Sequence, residues 1–261
     1  MPTASLKIHS TAIIDPGAQL GAGVVIGPYS VIDANVIIGD ATTVGSHCVI
    51  TGHTVIGRKN RVFTGAVIGS EPQDVKYNGE ETSLEIGDEN VIREYVTINP
   101  GTGEGTKTVI GNDNWFMIQT HVGHNCVIGS HIKLANLVTL GGHVQVEDYA
   151  TVGGVTPIHQ FVRIGCHSMV GGGFRAVQDV VPYMMAGDEP LRIYGLNQVG
   201  LERNHISKET IDLLKKAHRV IFRKKLTVKE AIDVLKTEFP STDEIKHLID
   251  FLGSSTRGIV R

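Results

Sequence analysis

A mainly β fold, a prism of short parallel strands followed by a helical tail, is predicted by three features of this sequence. An apolar side chain recurs every six residues from Ile8 to Val170, glycine often follows it, and a helical pattern takes over at Ser207. The series opens Ile8, Ile14, Leu20, Ile26, Ile32, Ile38, Val44, Ile50, Ile56, Val62 and Ile68. It resumes at Ile86, Ile92 and Ile98, and runs again from Ile110, with only Asp74, Glu80 and Glu104 out of character. Four places after each slot sits a small or β-branched residue, as at Ala12, Ala18, Val24, Thr42, Cys48 and Ala66. A period of six fits neither the 3.6 of a helix nor the 2 of a strand. It fits a hexapeptide solenoid, in which each unit supplies a strand and a corner and the aliphatic points inward.

The pattern resembles the hexapeptide-repeat class, and that resemblance implies a left-handed parallel β-helix. Three units close one triangular coil, and coils stack about 4.8 Å apart. Two segments leave the repeat as loops, 70–84 and 99–108, and loops on a rigid scaffold are where binding residues collect. The β-helix domain is expected over 1–190, with a connector and a C-terminal helical domain over 191–261. Ile211, Leu214, His218 and Ile221 mark one apolar helix face. Thr227 with Glu230 and Ser241 with Glu244 read as capping boxes opening further helices, which stop near Pro240 and Gly253.

Composition narrows the function. The chain has 261 residues, with 24 Lys+Arg against 27 Asp+Glu and a net charge of -3, which argues against a dedicated nucleic-acid binder. Mean hydropathy is +0.03 and no long apolar run is present, so no membrane span is expected. The opening MPTASLK has no apolar signal region. Cys48, Cys126 and Cys166 are too scattered for a disulfide framework or a CxxC metal site, which suits a reducing, cytoplasmic compartment. With 31 glycines and only 5% aromatics, the core must be built from close-packed aliphatics.

Histidine carries the most suggestive chemistry. His124 and His143 lie one coil plus one residue apart, and His143 and His159 one coil less two, so they share one edge of the prism; His121 shares the turn of His124. Lone histidines such as His9, His47, His131, His218 and His247 are more often structural. A cluster admits two readings: three imidazoles binding zinc, or one imidazole acting as a general base. Thr120, Gln119 and Asn125 beside them are poor zinc ligands. No nucleophile elbow, phosphate-binding Gly-Lys loop or dinucleotide fingerprint is present, and GTGEGTK lacks the Gly-Lys pair.

Gln73-Asp74-Val75-Lys76-Tyr77 with Gly79-Glu80, His121-Val122-Gly123-His124, Leu140-Gly141-Gly142-His143, Ile158-His159-Gln160-Phe161, and Gly195-Leu196-Asn197 with Gly200-Leu201 and Arg203 carry a more specific resemblance. Over essentially the whole chain the sequence resembles the acyl-carrier-protein-dependent UDP-N-acetylglucosamine O-acyltransferases that begin lipid A synthesis. The resemblance implies a cytoplasmic homotrimer with active sites in grooves between subunits. It implies transfer of an (R)-3-hydroxyacyl chain from acyl carrier protein to the 3-hydroxyl of UDP-N-acetylglucosamine. No cofactor or metal is implied, because the donor arrives on the carrier's phosphopantetheine. His124 matches the general base, and the backbone N–H of Gly142 the oxyanion donor. Asp74, Lys76, His121 and His143 match sugar-site positions, Gln73 a contact to the acyl hydroxyl, His159 and Gln160 the substrate groove, and Asn197 and Arg203 the nucleotide site.

Departures from the family pattern are Asn125, where many members carry Asp, and Val199 and Asn204 near the nucleotide. An Asn carbonyl still orients an imidazole N–H but does not stabilise imidazolium as a carboxylate does. Gly172 matches the position that limits acyl length and is small in long-chain members, so the resemblance implies about fourteen carbons, give or take about two; Met169 nearby would shorten the chain, and Pro190 replaces a residue near the chain end. Lys215, Lys216, Arg219, Arg223, Lys224 and Lys225 form a basic run suited to an acidic carrier. Competing readings are amide formation on the 3-amino sugar, the later N-acyltransferase of the pathway, a coenzyme A-dependent acetyltransferase, a zinc enzyme, and a structural solenoid without catalysis. The loop and tail motifs together favour the O-acyltransferase.

Overall fold

The computed structural model describes residues 5–261, so the first residues of MPTASLK lie outside the described residues. Short strands, most of two residues, form three sheets of 11, 8 and 8 strands. Each sheet is one face of a triangular prism. The first face holds strands such as Arg61–Val62 and Met169–Val170, the second Thr97–Ile98, His121–Val122 and Thr139–Leu140, the third Val127–Ile128 and Arg163–Ile164. All pairings along the coils are parallel, and Thr139 pairs with Pro157, one eighteen-residue coil later.

Register explains why the period of six survives two interruptions. Val67 pairs with Thr97, thirty residues on, and Thr97 with His121, twenty-four on. Measured against eighteen, the first loop adds twelve residues and the second adds six. Both insertions are whole numbers of hexapeptides, and Asp74, Glu80 and Glu104 are the slots they carry outside the prism. The loops end slightly sooner than expected. Strands Ser83–Ile86 and Lys107–Ile110 already pair in the ladder, so Ser83, Leu84, Lys107 and Thr108 belong to the prism wall.

The interior is dry and aliphatic. Ile26, Ile50, Ile68, Ile98, Leu134 and Val152 are at most 1% exposed, and burial of each contributes roughly 1.5–3 kcal/mol. One stripe of the interior is polar. Asn60, Asn90 and Asn114, all fully buried, stack over successive coils: Asn90 Nδ2 donates to Asn60 Oδ1 at 3.0 Å and to the Gly111 carbonyl at 3.0 Å. Asn90 Oδ1 accepts from the Asn114 N–H at 3.0 Å.

At the corners one residue per hexapeptide adopts the left-handed conformation, including Asn125 (φ 57°), His143 (φ 60°) and Phe161 (φ 66°). At most of these corners the N–H donates to a carbonyl of the preceding coil, as His143 does to His124 at 2.8 Å and Phe161 to Gly142 at 3.1 Å, which holds a non-glycine residue in that conformation. Corner side chains then stack in columns of their own. His131, Tyr149 and His167 form one such column with ring centroids 4.6 Å apart at each step.

The prism does not pass directly into helices. Met184–Gly187 and Arg192–Leu196 form an antiparallel hairpin that extends the first face, and α1 (Gln198–Arg203) follows it. Then come α2 (Lys208–Arg223), α3 (Val228–Glu238) and α4 (Asp243–Gly253). Ser207 caps α2, and Thr227 with Glu230 forms the expected capping box of α3. The cap of α4 is Thr242 rather than Ser241. The Thr242 N–H donates to the Pro240 carbonyl at 2.9 Å, which turns the chain one residue later, and Thr242 Oγ1 accepts from the Ile245 N–H.

Polar contacts bind this tail to the prism, centred on Asp179 and on Glu147. The Asp179 carboxylate, fully buried, accepts from the Arg163 N–H at 2.9 Å and from Ser255 Oγ at 2.7 Å. His247 of α4 meets Glu147 of the third face at 2.7 Å. Hydrogen bonds with Cys166 and with Glu147 hold the His247 imidazole protonated up to about 10. Among the described residues no helix is long and apolar enough to cross a membrane.

Asn90→Ala leaves the Asn114 N–H and the Gly111 carbonyl without partners, and is expected to cost about 2–4 kcal/mol, read as a lower thermal midpoint at fixed protein concentration. Because the folded-state pKa of His247 lies above its unfolded value, its contribution is complete below about pH 6.5 and lost as pH rises towards about 10. Thermal midpoints are therefore expected to fall across that window in the native protein, and to fall less in His247→Gln.

Candidate active site

Strand His121–Val122 of the second face delivers the chain to a corner at Gly123, His124 and Asn125. One coil up, that corner repeats as Gly141, Gly142 and His143, and one further as His159, Gln160 and Phe161. His124 therefore sits directly beneath Gly142, in the same column. A Cβ at Gly142 would collide with the His124 imidazole, which makes glycine the residue that fits. Among the described residues the Gly142 N–H has no acceptor, while its carbonyl accepts from the Phe161 N–H at 3.1 Å.

The His124 ring is held on two sides. Its Nδ1 lies 2.8 Å from Asn125 Oδ1. That oxygen also accepts the Thr102 N–H at 2.9 Å, and Asn125 Nδ2 donates to the Thr102 carbonyl at 3.4 Å. His143 meets the His124 ring edge-on at 5.2 Å and stacks on Phe161 at 4.6 Å. On the open side, His124 Nε2 faces Asp74 Oδ2 at 3.9 Å. Both side chains are largely shielded, at 14% and 21% exposed.

Asp74 comes from the first loop, whose turn is set by its own backbone. Asp74 Oδ1 accepts from the Lys76 N–H at 3.0 Å and its carbonyl from the Tyr77 N–H at 3.0 Å. Asn99 fastens the base of the loop, its Nδ2 donating to the carbonyls of Ser70 at 3.0 Å and Glu71 at 3.1 Å. Gln73 and Lys76 extend into solvent at the rim. Below the loop an open cavity of about 800 Å³, lined by Asp33, Thr51, His53, Glu71, Tyr77 and Glu80, continues along the same edge.

Electrostatics keeps the histidines around His124 neutral. Burial lowers the pKa of His121 and of His143, and the nearby His124 charge lowers both further. His121 Nδ1 is 2.7 Å from Thr97 Oγ1, the residue paired with it across the strand. Two neutral imidazoles beside a third suit hydrogen bonding to a polar uncharged group such as a sugar hydroxyl.

His121, His124, His143, Asp74 and Gly142 are thus brought together on one edge. His159 shares the edge but stands in the column of Gly123 and Gly141, its Nδ1 near the Gln160 carbonyl at 3.1 Å; the ring that packs on His143 is Phe161. The corner columns advance by whole coils, so two residues short of a coil is a different column. The other predicted residues lie elsewhere. Met169 and Gly172 occupy the corner between the first and second faces, where a Cβ at Gly172 would come within 3.0 Å of the Gly154 carbonyl. Met169 pairs with Met185, and both are partly exposed. Asn197 caps α1, with Oδ1 accepting from the Gly200 N–H and Nδ2 donating to the His167 carbonyl at 2.9 Å, at the corner between the third and first faces. Arg203, Val199 and Asn204 are exposed nearby, and Asn204 Nδ2 lies 3.4 Å from His167 Nδ1.

Sequence reasoning missed Thr97, Asn99, Thr102 and Phe161. Thr97 pairs with His121, and the Asn99 N–H donates to the Val122 carbonyl at 3.0 Å, only through a register lengthened by the second loop, which no fixed spacing reveals. Phe161 is legible as one whole coil beyond His143.

Comparison with known proteins places this geometry. A family profile described as "Udp N-acetylglucosamine O-acyltransferase; Domain 2" matches residues 179–260, and a bacterial transferase hexapeptide profile matches 17–52 and 107–142. The chain is 53% identical over 260 residues to the acyl-[acyl-carrier-protein]--UDP-N-acetylglucosamine O-acyltransferase of Paracidovorax citrulli, covering 98% of this chain and 99% of that protein. It is 50% identical to the enzyme of the same name from Thermodesulfovibrio yellowstonii, covering 98% and 99%. The solved structure of LpxA from Acinetobacter baumannii superposes with a TM-score of 0.94 at 45% identity, over 97% of this chain and 99% of that one. The fold is accordingly the left-handed parallel β-helix, and the chain belongs to the family of acyl-[acyl-carrier-protein]--UDP-N-acetylglucosamine O-acyltransferases.

Proposed function

We propose that this chain transfers an (R)-3-hydroxyacyl group from acyl carrier protein to the 3-hydroxyl of UDP-N-acetylglucosamine, the first step of lipid A biosynthesis, with His124 as general base. The observation that carries this reading is the His124 corner: an imidazole oriented through Nδ1, a free Gly142 N–H one coil above, and neutral His121 and His143 beside it. His124 Nε2 takes the proton of the sugar hydroxyl as its oxygen attacks the thioester carbonyl carbon. The oxyanion so formed accepts the Gly142 N–H. Collapse breaks the C–S bond, and the imidazolium returns its proton to the departing phosphopantetheine thiolate. Every proton and electron pair is accounted for by substrate, donor and His124, so the reaction calls for neither metal nor cofactor. Asp74, Lys76, His121 and His143 serve the sugar, Gln73 the acyl 3-hydroxyl, His159 and Gln160 the groove, and Asn197 and Arg203 the nucleotide. The chemistry suits a cytoplasmic location, where carrier and nucleotide sugar meet.

A homotrimer, which the family resemblance implies, is supported by where these residues lie. Base, acyl-length and nucleotide residues occupy three different edges of one prism, so a single chain does not converge them on one substrate. Copies packed side by side bring unlike edges together. The second face suits that contact: its outward residues Ile13, Val31, Val49, Val67, Thr97, His121, Thr139 and Pro157 carry no acidic or basic chain other than the neutral His121. The exposed cations Lys216, Arg219 and Arg223 of α2, with Lys224 and Lys225 just beyond its end, offer an acidic carrier a docking surface. Gly172, at the position that limits acyl length in the family it resembles, is close-packed against the Gly154 backbone and leaves no side chain to shorten the acyl chain, in keeping with about fourteen carbons.

In a mass-resolved assay with a series of 3-hydroxyacyl carrier proteins, His124→Ala is expected to lose about 10²–10⁴-fold in kcat with unchanged assembly. Retained activity would sink the assignment of the base, and transfer to the 3-amino sugar alone would move the acceptor from hydroxyl to amine. Val49→Lys places charge on the second face; sedimentation is expected to show a three-chain particle for the native protein and a one-chain particle for the variant, with activity lost in step.

A further inference from the structure

The second loop, 99–106, has no counterpart among the proposed substrate contacts, yet it reaches the base. We propose that Thr102 is a positioning residue: its peptide group locks the Asn125 amide with oxygen towards His124, and so fixes the imidazole in the tautomer that leaves Nε2 free to accept a proton. The inference rests on the reading of His124 as general base.

The argument is one of donors and acceptors. An amide side chain presents an oxygen that only accepts and a nitrogen that only donates, so its orientation is decided by its partners. The Thr102 N–H lies 2.9 Å from Asn125 Oδ1, and the Thr102 carbonyl 3.4 Å from Asn125 Nδ2. Rotating the amide by half a turn would set NH₂ against N–H and oxygen against oxygen. With the amide held, Oδ1 is the atom 2.8 Å from His124 Nδ1. An oxygen acceptor there requires hydrogen on Nδ1, and a neutral imidazole then has its lone pair on Nε2. That nitrogen faces the Asp74 side of the site. A flipped amide would offer its NH₂ to Nδ1, select the other tautomer, and place hydrogen where the base must accept one.

The loop is built stiffly enough to do this. Thr106 Oγ1 donates to the carbonyls of Thr102 at 2.9 Å and Gly103 at 2.8 Å, and the Thr106 N–H to Gly103 at 3.1 Å. The Gly101 N–H donates to the Ser83 carbonyl at 3.2 Å and the Gly105 N–H to the Glu81 carbonyl at 2.9 Å, which ties the loop to the neighbouring strand and the foot of the first loop. A carboxylate at position 125 would have two equivalent oxygens and no need of such a lock. An amide needs one, which gives the six-residue insertion a use specific to this chain's Asn125.

A double-mutant cycle separates this role from general support. Thr102→Pro removes the N–H; its kcat is expected to fall about tenfold or more in the native background, with KM little changed, and less than about twofold when combined with Asn125→Asp. Equal losses in both backgrounds, or no loss in either, overturn the proposal. Independently of how Thr102→Pro folds, ¹⁵N spectra of the histidine-labelled native protein are expected to show His124 with hydrogen on Nδ1, and Asn125→Leu a mixture of tautomers. Hydrogen on Nε2 in the native protein overturns the proposal. Full activity of His124→Ala would instead overturn the reading of the base, leaving the tautomer result to stand or fall alone.

Discussion

The parallel hydrogen-bond register between coils is the constraint on which everything else in this protein depends. Each two-residue strand is far too short to persist alone, and is held only because its N–H and C=O groups pair with the coils above and below. That pairing keeps an aliphatic over an aliphatic in the interior, an asparagine over an asparagine where the stripe is polar, and a ring over a ring at the corners. It also fixes the geometry of the candidate site, because a residue one coil above another is placed beside it. Gly142 stands over His124 for the same reason that Asn90 stands over Asn60.

Insertions obey the same constraint. Loops of twelve and six added residues leave the phase intact, so the strands that follow re-enter the ladder with the correct side facing inward. The two loops therefore could grow into working parts without cost to the fold. One brings Asp74 opposite His124 Nε2, and the other brings the Thr102 peptide to the far side of the Asn125 amide.

The legibility of this molecule in its sequence follows from that regularity. The hexapeptide phase reveals the prism, its loops and the sharing of an edge by His121, His124 and His143, because spacing alone decides position in a repeat. Helix α3 is legible from Thr227 and Glu230, a local signal. The hairpin of Met184–Gly187 and Arg192–Leu196 is not, since it follows no period and its register shifts between Met185 and Ala186. The choice of Thr242 over Ser241 turns on one backbone hydrogen bond to Pro240 that two adjacent hydroxyl residues cannot advertise. His159 was expected among the stacked histidines but keeps a neighbouring column, a difference of two residues in the count. Thr97, Asn99 and Thr102 are silent in the sequence because their partners lie across lengthened coils.

In the proposed trimer a working site takes its base from one chain and its nucleotide contacts from an edge of another. Co-assembly of His124→Ala chains with Arg203→Ala chains tests it most directly. Each variant alone is expected to be inactive, while mixed trimers recover activity at the sites where an intact His124 meets an intact Arg203. No recovery from a proven mixed assembly would place both residues in one chain's site and contradict the account.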